Sequence, residues 1–185
     1  MKYDLNWVIN RYESNNNRLK YIFFWGHQIK NKDEVGKSCF SQWYESEFKV
    51  EEINYKTAEH WMMAEKARLF KDDESLEKIL KSNTPGEAKQ LGRSVKNFEL
   101  PEWESKKYEI VKLGNQYKFE QNDFLKSYLL GTKDRILVEA SPYDKIWGIG
   151  MNESEEGIEN PRNWKGENLL GFAIMEVRDE LGLKL

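Results

Sequence analysis

One predicted helix places an acid and an amine on the same face. The segment AEHWMMAEKARLF follows Thr57, which suits a helix N-cap, so a helix is predicted over residues 58–70. At about 100° per residue, Lys66 falls about 20° from Glu59. Apolar side chains lie within about 80° of this line, namely Met62, Met63, Leu69 and Phe70. The opposite side is predicted to hold Trp61, Ala64, Glu65 and Arg68.

A charge on the apolar face of a helix is costly unless it is paired or solvated. Glu59 and Lys66 are separated by about 10.5 Å along the helix axis, so a direct pair requires both side chains to bend. The alternatives are a buried ion pair, or a lysine whose amine reaches solvent at the edge of the face. We favour a cleft that contains both groups, because such groups are seldom fully buried.

This pair of groups suits chemistry at the C1′ atom of a ribose. Glu59 lies near a helix N-terminus, and an anion below the sugar can stabilise the oxocarbenium-like charge that develops as a glycosidic bond breaks. Lys66 lies among apolar residues, where its charged form is disfavoured, so it can also act as a nucleophile that forms a Schiff base. The helical wheel does not choose between these roles.

A second candidate group follows a predicted strand, RILVEAS. Asp144 lies in the loop after this strand, where it is well placed for acid/base catalysis. Trp147 can stack on a base, and Gly148 and Gly150 permit a ligand to approach the backbone closely. The alternative is a structural turn with a core tryptophan.

Other candidates are weighed against ordinary packing. The segments FWGH and FSQWY are rich in stacking groups and donors, although an aromatic core is the usual explanation. His60 has the position of a structural histidine, and Trp103 can stack or pack. Arg93 can hold a phosphate through its guanidinium group, although a surface arginine is the common case.

The remaining pattern predicts an α+β fold, mainly helical, with a small β-sheet. We expect one domain over residues 20–185, preceded by an extension, residues 1–19, that forms a short helix. The other predicted elements are a strand at 21–25, a hairpin around Glu51 and Glu52, helices at 74–81 and 123–130, and a loop at 151–167. Another helix is predicted to begin at a Thr84 cap, with Pro85 and Glu87 in its first turn, and to end at Gly92. A long helix is predicted from Pro101, and a last helix is predicted to be capped by Asn168. The long helix carries a stripe made of Tyr108, Val111, Asn115, Lys118 and Asn122.

Composition excludes several classes of protein. The 185 residues carry 29 Lys and Arg against 32 Asp and Glu, so the net charge of −3 gives no global positive field for nucleic acid. One cysteine and two histidines cannot build a disulfide or a structural zinc site. We expect no cofactor and no metal, although a site made only of carboxylates for magnesium or calcium stays open. No segment resembles a membrane span or a signal peptide, so we expect a cytoplasmic protein without a membrane partner.

Seven segments together resemble the NADAR superfamily, also called YbiA-like. They are FFWGH (23–27), FSQWY (40–44), TAEHWMMAEKA (57–67), LGR (91–93), KFEQN (118–122), LVEASPYDKIWGIG (137–150) and NLLGFAIMEVR (168–178). The resemblance covers about residues 21 to 181. It implies an α+β fold with a cleft for a ribosylated base, since bacterial members are N-glycosidases of riboflavin-pathway intermediates. One departure is the Glu51-Glu52 turn, where relatives often carry Asp-Gly.

The resemblance also implies roles for individual residues. The family's E-H-x-x-x-A-x-K pattern falls on Glu59 and Lys66, which with Asp144 are the predicted catalytic residues. The predicted substrate contacts are Trp25, Gly26, Ser41, Trp43, His60, Arg93, Trp103, Asn122, Trp147, Gly148 and Gly150.

The resulting hypothesis is a hydrolase that cleaves the C1′–N bond of a phosphoribosyl-aminopyrimidine and releases ribose 5-phosphate. One alternative is removal of ADP-ribose from guanine in nucleic acid, which cleaves the same bond. Another is a non-catalytic module that binds ADP-ribose or a nucleotide. The presence of both Glu59 and Lys66 favours an enzyme. The sequence does not indicate the oligomeric state.

Overall fold

The computed structural model describes residues 1–28 and 34–183. In chain order its helices are α1 (Leu5–Ser14), α2 (Ala58–Leu69), α3 (Asp73–Lys81), α4 (Pro85–Arg93), α5 (Leu100–Glu120), α6 (Asp123–Gly131) and α7 (Leu169–Leu183), and its strands are β1 (Tyr21–Phe24), β2 (Phe48–Val50), β3 (Ile53–Tyr55) and β4 (Ile136–Glu139). The predicted α+β class, dominated by helices, is confirmed. The predicted helix in the extension is present as α1.

The chain forms two compact units. The first unit consists of Met1–Ser41 and Phe124–Leu185, and the second consists of Gln42–Asp123. Each unit is described by itself below. The predicted domain boundary at residue 20 stays a prediction.

The core of the first unit is a parallel strand pair covered by α7. β1 pairs with β4 in parallel, with Phe24 opposite Glu139. Asn168 links α7 to this strand, because its side chain donates to the Leu137 carbonyl and accepts from the Glu139 N–H, each at 2.9 Å. Asn168 directly precedes α7, as predicted for the residue that caps this helix, and its backbone carbonyl accepts from the N–H of Phe172. Its side-chain hydrogen bonds go to β4 and not to the first turn of the helix.

The second unit begins with the predicted hairpin, which the structure confirms. β2 and β3 are antiparallel, with Phe48 opposite Tyr55. The turn between them places Glu51 in the left-handed region, at φ 52°. Asparagine, aspartate and glycine adopt this conformation more readily than glutamate, so the turn carries some strain.

α2 is the central helix of the second unit and packs against α3, α4 and α5. Residues 58–64 and Ala67 are all buried. The predicted apolar face is therefore too narrow, because Trp61 and Ala64, which were predicted on the opposite side of α2, are also buried, at 4% and 0% exposed. Trp61 donates its indole N–H to the Ile110 carbonyl of α5 at 2.9 Å, so even its polar atom is satisfied inside the unit. Because three helices cover α2, most of its circumference is buried and not only one face.

α4 begins as predicted but ends differently. The Thr84 hydroxyl accepts from the Glu87 N–H, and the Glu87 carboxylate accepts from the Asn83 N–H at 2.8 Å. The prediction that Gly92 ends the helix is wrong, because α4 continues to Arg93. Glycine is required at position 92 for packing, since a Cβ there would lie 2.0 Å from the Met63 sulfur.

In α5, the predicted stripe is partly confirmed. Val111, Asn115 and Lys118 are fully buried. Tyr108 and Asn122 are only half-buried, and Asn122 lies beyond the end of α5 at Glu120, so its place in the predicted helix stripe is wrong. No helix among residues 1–28 and 34–183 is long and apolar enough to cross a bilayer. The cytoplasmic location stays a prediction.

Candidate active site

The start of α2 holds a buried carboxylate. Thr57 caps the helix by accepting from the His60 N–H, as predicted. Glu59 lies in the first turn, is 4% exposed, and donates its backbone N–H to the Gln42 carbonyl at 3.0 Å. The positive end of the helix dipole stabilises negative charge at this position. Glu59 is therefore held at a defined place with its charge favoured by the helix.

His60 contributes to the same helix start. Its Nδ1 lies 2.8 Å from the Thr57 hydroxyl, and the residue is 2% exposed. Burial lowers the pKa of the imidazole, which opposes protonation. These contacts fit the structural role considered from the sequence. A contact between His60 and substrate stays a prediction.

Lys66 lies near the other end of α2, in an aromatic setting. Its Nζ donates to the Gly92 carbonyl at 2.8 Å and lies 4.2 Å from the Phe98 ring centre and 5.6 Å from that of Trp103. Burial lowers the pKa of the ammonium group. Within the described parts of the chain Lys66 forms no ion pair, so the alternative of a buried pair with Glu59 is not what is observed.

The other predicted contacts in the second unit have different surroundings. Trp103 is buried and faces the Lys66 amine. Trp43 is half-buried, and Arg93 is exposed at the end of α4. Asn122 bridges backbone segments, because its side-chain N–H groups donate to the carbonyls of Lys118 and Glu47. Asn122 therefore has at least a structural role.

In the first unit, Asp144 organises its own loop. Its Oδ1 accepts from the N–H groups of Ile146 at 2.9 Å and Trp147 at 2.8 Å. The Ser141 hydroxyl accepts in turn from the Tyr143 and Asp144 N–H groups. These bonds fix one carboxylate oxygen, and the described residues give Oδ2 no hydrogen bond.

The two glycines of this loop are required by the backbone itself. A Cβ at Gly148 would lie 2.8 Å from the Glu139 carbonyl oxygen, and Gly150 has φ 64°, which favours glycine. Their presence is thus explained without a ligand. Their predicted contacts with substrate stay predictions.

The first unit also presents an exposed aromatic pair. The rings of Trp25 and Tyr143 lie 6.0 Å apart, and these residues are 51% and 85% exposed. Gly26 follows with φ 77°, and Ser41 is half-buried at the end of a 3-10 turn. The sequence did not single out Tyr143, although its position next to Asp144 was a usable signal.

The structure therefore places the predicted residues in two units and brings two pairs of them together. In the second unit the Lys66 amine lies over the Trp103 ring, and in the first unit the Asp144 carboxylate accepts a hydrogen bond from the Trp147 N–H. Sequence reasoning missed Phe98 as a neighbour of the amine, because no pattern linked the segment after α4 to α2. In the described residues no group of three or more His, Cys, Asp or Glu side chains is arranged to hold a metal ion.

Comparison with known proteins agrees with the resemblance. The model of the NADAR domain matches residues 23–182. The chain is 43% identical over 167 residues to N-glycosidase R617 of Acanthamoeba polyphaga mimivirus, covering 87% of this chain and 96% of that protein. It is 31% identical over 153 residues to N-glycosidase YbiA of Escherichia coli, covering 82% of this chain and 85% of YbiA.

A solved structure gives the same result for the fold. The NMR structure of the E. coli protein YbiA matches with a TM-score of 0.72 and 28% identity, over 89% of this chain and 86% of that one. The prediction of an enzyme that hydrolyses N-glycosyl bonds is confirmed by the curated relatives named N-glycosidase. By sequence and by fold, the chain belongs to the NADAR domain family.

Proposed function

We propose that this chain hydrolyses the C1′–N bond of a phosphoribosyl-aminopyrimidine, releasing ribose 5-phosphate and the free base. The observation that carries the proposal is α2 itself, which holds a buried carboxylate at its start and an amine of lowered pKa near its end. A single rigid helix fixes the spacing of these two groups. Such pre-organisation is what stabilisation of a charged transition state requires.

In this proposal Glu59 stabilises the positive charge that develops at C1′ and the ring oxygen as the bond to the base breaks. A carboxylate with 4% exposure acts in a medium of low dielectric, where its field is stronger than in water. Water adds to C1′, and the departing nitrogen takes up a proton. Asp144 is the candidate for this proton transfer through its Oδ2 atom.

Lys66 has two possible roles, electrostatic stabilisation or covalent catalysis. In the covalent route the neutral amine bonds to C1′ as the bond to the base nitrogen breaks, and the departing base takes up a proton. The C1′–O4′ bond then breaks, O4′ takes up a proton, and the nitrogen lone pair forms the imine. Water hydrolyses this imine to the free sugar and restores the amine. This route needs an unprotonated amine, and burial increases that fraction. The rings of Phe98 and Trp103 instead attract the ammonium form. The hydrogen bond to the Gly92 carbonyl orients the amine.

The remaining residues are assigned to binding. Trp147 or Trp103 stacks on the base, since either indole offers a face of the right size. Arg93 is the candidate for the 5-phosphate, because its exposed guanidinium can bind two phosphate oxygens at once.

The test of the carboxylate is Glu59→Gln, which keeps the shape and removes the charge. We expect the rate of product release, followed by mass spectrometry on a panel of ribosylated bases, to fall by at least about 100-fold. The control is Glu65→Gln on the same helix, whose carboxylate pairs with Arg68. Full activity of folded Glu59→Gln would refute the assignment.

The test of the amine is borohydride trapping during turnover. In the covalent route, mass spectrometry detects a sugar adduct on the wild-type protein that is absent from Lys66→Ala. The control is Lys106→Ala, which removes an exposed lysine of α5. Absence of any adduct in the active wild-type protein would leave Lys66 with the electrostatic role.

The alternative substrate is ADP-ribosylated guanine, as a free base or in nucleic acid. The observation in its favour is the exposed pair of Trp25 and Tyr143, since a dinucleotide offers a second base for stacking. A release assay that compares both substrates separates the two. Saturable binding in calorimetry without product would instead indicate a binding module.

A further inference from the structure

The segment before β1 is fixed to the first unit at both ends. The Tyr3 hydroxyl donates to the Asp179 carboxylate of α7 at 2.5 Å. At the end of α1, Glu13 forms an ion pair with Arg162. This segment lies outside the region matched by the family model, which begins at residue 23. The residues of this segment are therefore additional to the region that the family model matches.

Two adjoining recesses border α1. One has a volume of about 370 Å³ and the other about 270 Å³, and both are lined by Arg11 and Asp134. Arg18 and Lys20 line the first recess, and Lys133 lines the second. We call this surface the N-terminal groove.

The N-terminal groove concentrates positive charge on a chain whose net charge is negative. Five cationic and two carboxylate side chains line it, which leaves an excess of three positive charges. The cations are Arg11, Arg18, Lys20, Lys133 and Arg178, and the carboxylates are Asp134 and Asp179. The Asp179 carboxylate is already occupied by Lys2 and Tyr3. Among the described residues, the first four cations have no ion-pair partner. An excess of this kind attracts an anion.

Arg178 gives a second, independent indication. This residue is 7% exposed, and its Nη1 donates to the Thr132 hydroxyl at 2.9 Å and to the Arg135 carbonyl at 2.7 Å. No carboxylate of residues 1–28 and 34–183 lies within ion-pair distance of it. A buried guanidinium is costly to charge unless it is compensated, and Asp134 and Asp179 lie in the same recess without pairing with it. An anion in the second recess would add to that compensation.

We propose that the N-terminal groove binds the sugar-phosphate backbone of single-stranded nucleic acid. Guanidinium groups match phosphate oxygens in pairs. The ten residues of α1 extend about 15 Å. This length exceeds the size of a single phosphate and can accommodate several phosphates in a row. The Trp7 ring lines the second recess, and the Arg11 guanidinium lies over it at 5.5 Å from the ring centre, which positions this guanidinium at the recess.

The test uses the full chain and a labelled oligothymidylate, with binding followed by fluorescence anisotropy at several salt concentrations. The variant is Arg11→Gln/Arg18→Gln, and the control of equal charge is Lys71→Gln/Lys106→Gln in the second unit. We expect the variant to bind at least about tenfold more weakly at low salt, and its slope of log K against log salt to be shallower by about 1.4. The control should stay within about twofold of wild type.

Three results would overturn the proposal. They are no binding at low salt, equal weakening in the control pair, and complete competition by millimolar inorganic phosphate, which would indicate a site for a small anion. Circular dichroism confirms that each variant is folded. Cleavage of a small ribosylated base should be unchanged in Arg11→Gln/Arg18→Gln, so failure of this proposal is distinguishable from failure of the proposed function.

Discussion

Replacing Gly92 with alanine should destabilise the protein, although alanine is the better helix former. A Cβ at position 92 would lie 2.0 Å from the Met63 sulfur, 2.8 Å from its Cγ and 3.1 Å from its Cβ. The thioether can rotate away, but the Met63 Cβ is attached to the backbone of α2. The added methyl group must therefore push α4 away from α2.

The magnitude follows from opposing contributions. Alanine in place of a helical glycine gains at most about 1 kcal/mol, and Gly92 is the last residue but one of α4, where the gain is smaller. Overpacking costs about 1 to 3 kcal/mol, and movement of the Gly92 carbonyl weakens its hydrogen bond with Lys66, which contributes about 1 kcal/mol more. We expect a net loss of about 1 to 3 kcal/mol, since packing and hydrogen bonding together outweigh helix propensity.

The assay is urea denaturation followed by circular dichroism, which gives the free energy of unfolding. The matched control is Gly86→Ala in the same helix, where the nearest atom to a new Cβ is a Trp43 carbon at 3.5 Å. That distance is ordinary van der Waals contact. Gly86→Ala should therefore change stability by less than about 1 kcal/mol, in the stabilising direction.

A double-mutant cycle with Met63→Ala identifies the cause. Truncation of Met63 alone should cost about 2 to 5 kcal/mol, but it removes the sulfur and the Cγ, the two atoms nearest to the new methyl group, and leaves only the Cβ at 3.1 Å. The double variant should then be more stable than the sum of the two losses predicts, by about 0.5 to 3 kcal/mol. The reasoning is refuted if Gly92→Ala is as stable as wild type, or if the two losses simply add.

Three further predictions concern single side chains. Because burial lowers the His60 pKa below its value in the unfolded chain, the free energy of unfolding should fall as the pH drops below about 6.5. Urea denaturation at pH 5 and pH 8 measures this change, which should be smaller in His60→Gln than in the wild-type protein. The rate at which an acylating reagent modifies Lys66 should reach half of its maximum at a pH below about 10.4, the value of a free lysine amine, because burial favours the neutral form; peptide mass spectrometry over a pH series measures this midpoint, and a midpoint at or above that value would contradict the burial argument. Asn168→Ala should cost about 2 to 5 kcal/mol in urea denaturation, because it leaves two buried backbone groups of β4 without partners; a loss below about 1 kcal/mol would mean that water replaces the side chain.

Helix starts could be predicted from the sequence because capping is local. Thr57 and Thr84 each accept from the backbone N–H three residues ahead, a pattern contained within four residues. The end of α4 could not be predicted in the same way. Gly92 has the residue type of a C-cap, but the structure explains glycine at this position by close contact with Met63, which is distant in sequence.

The candidate site shows the same division between local and long-range information. The wheel correctly placed Glu59 and Lys66 on one helix, since the spacing of residues along a helix is fixed. It could not show that Trp61 is also buried, because burial depends on which other helices surround α2. The environment of Lys66 depends on Phe98 and Trp103, which tertiary packing supplies.

The position of Lys66 bears on the choice between its two roles. It lies in the last turn of α2, where the negative end of the helix dipole favours the ammonium form. Burial favours the neutral amine. The two effects act in opposite directions, so the position of Lys66 is compatible with either role. Borohydride trapping therefore decides between the covalent and the electrostatic route.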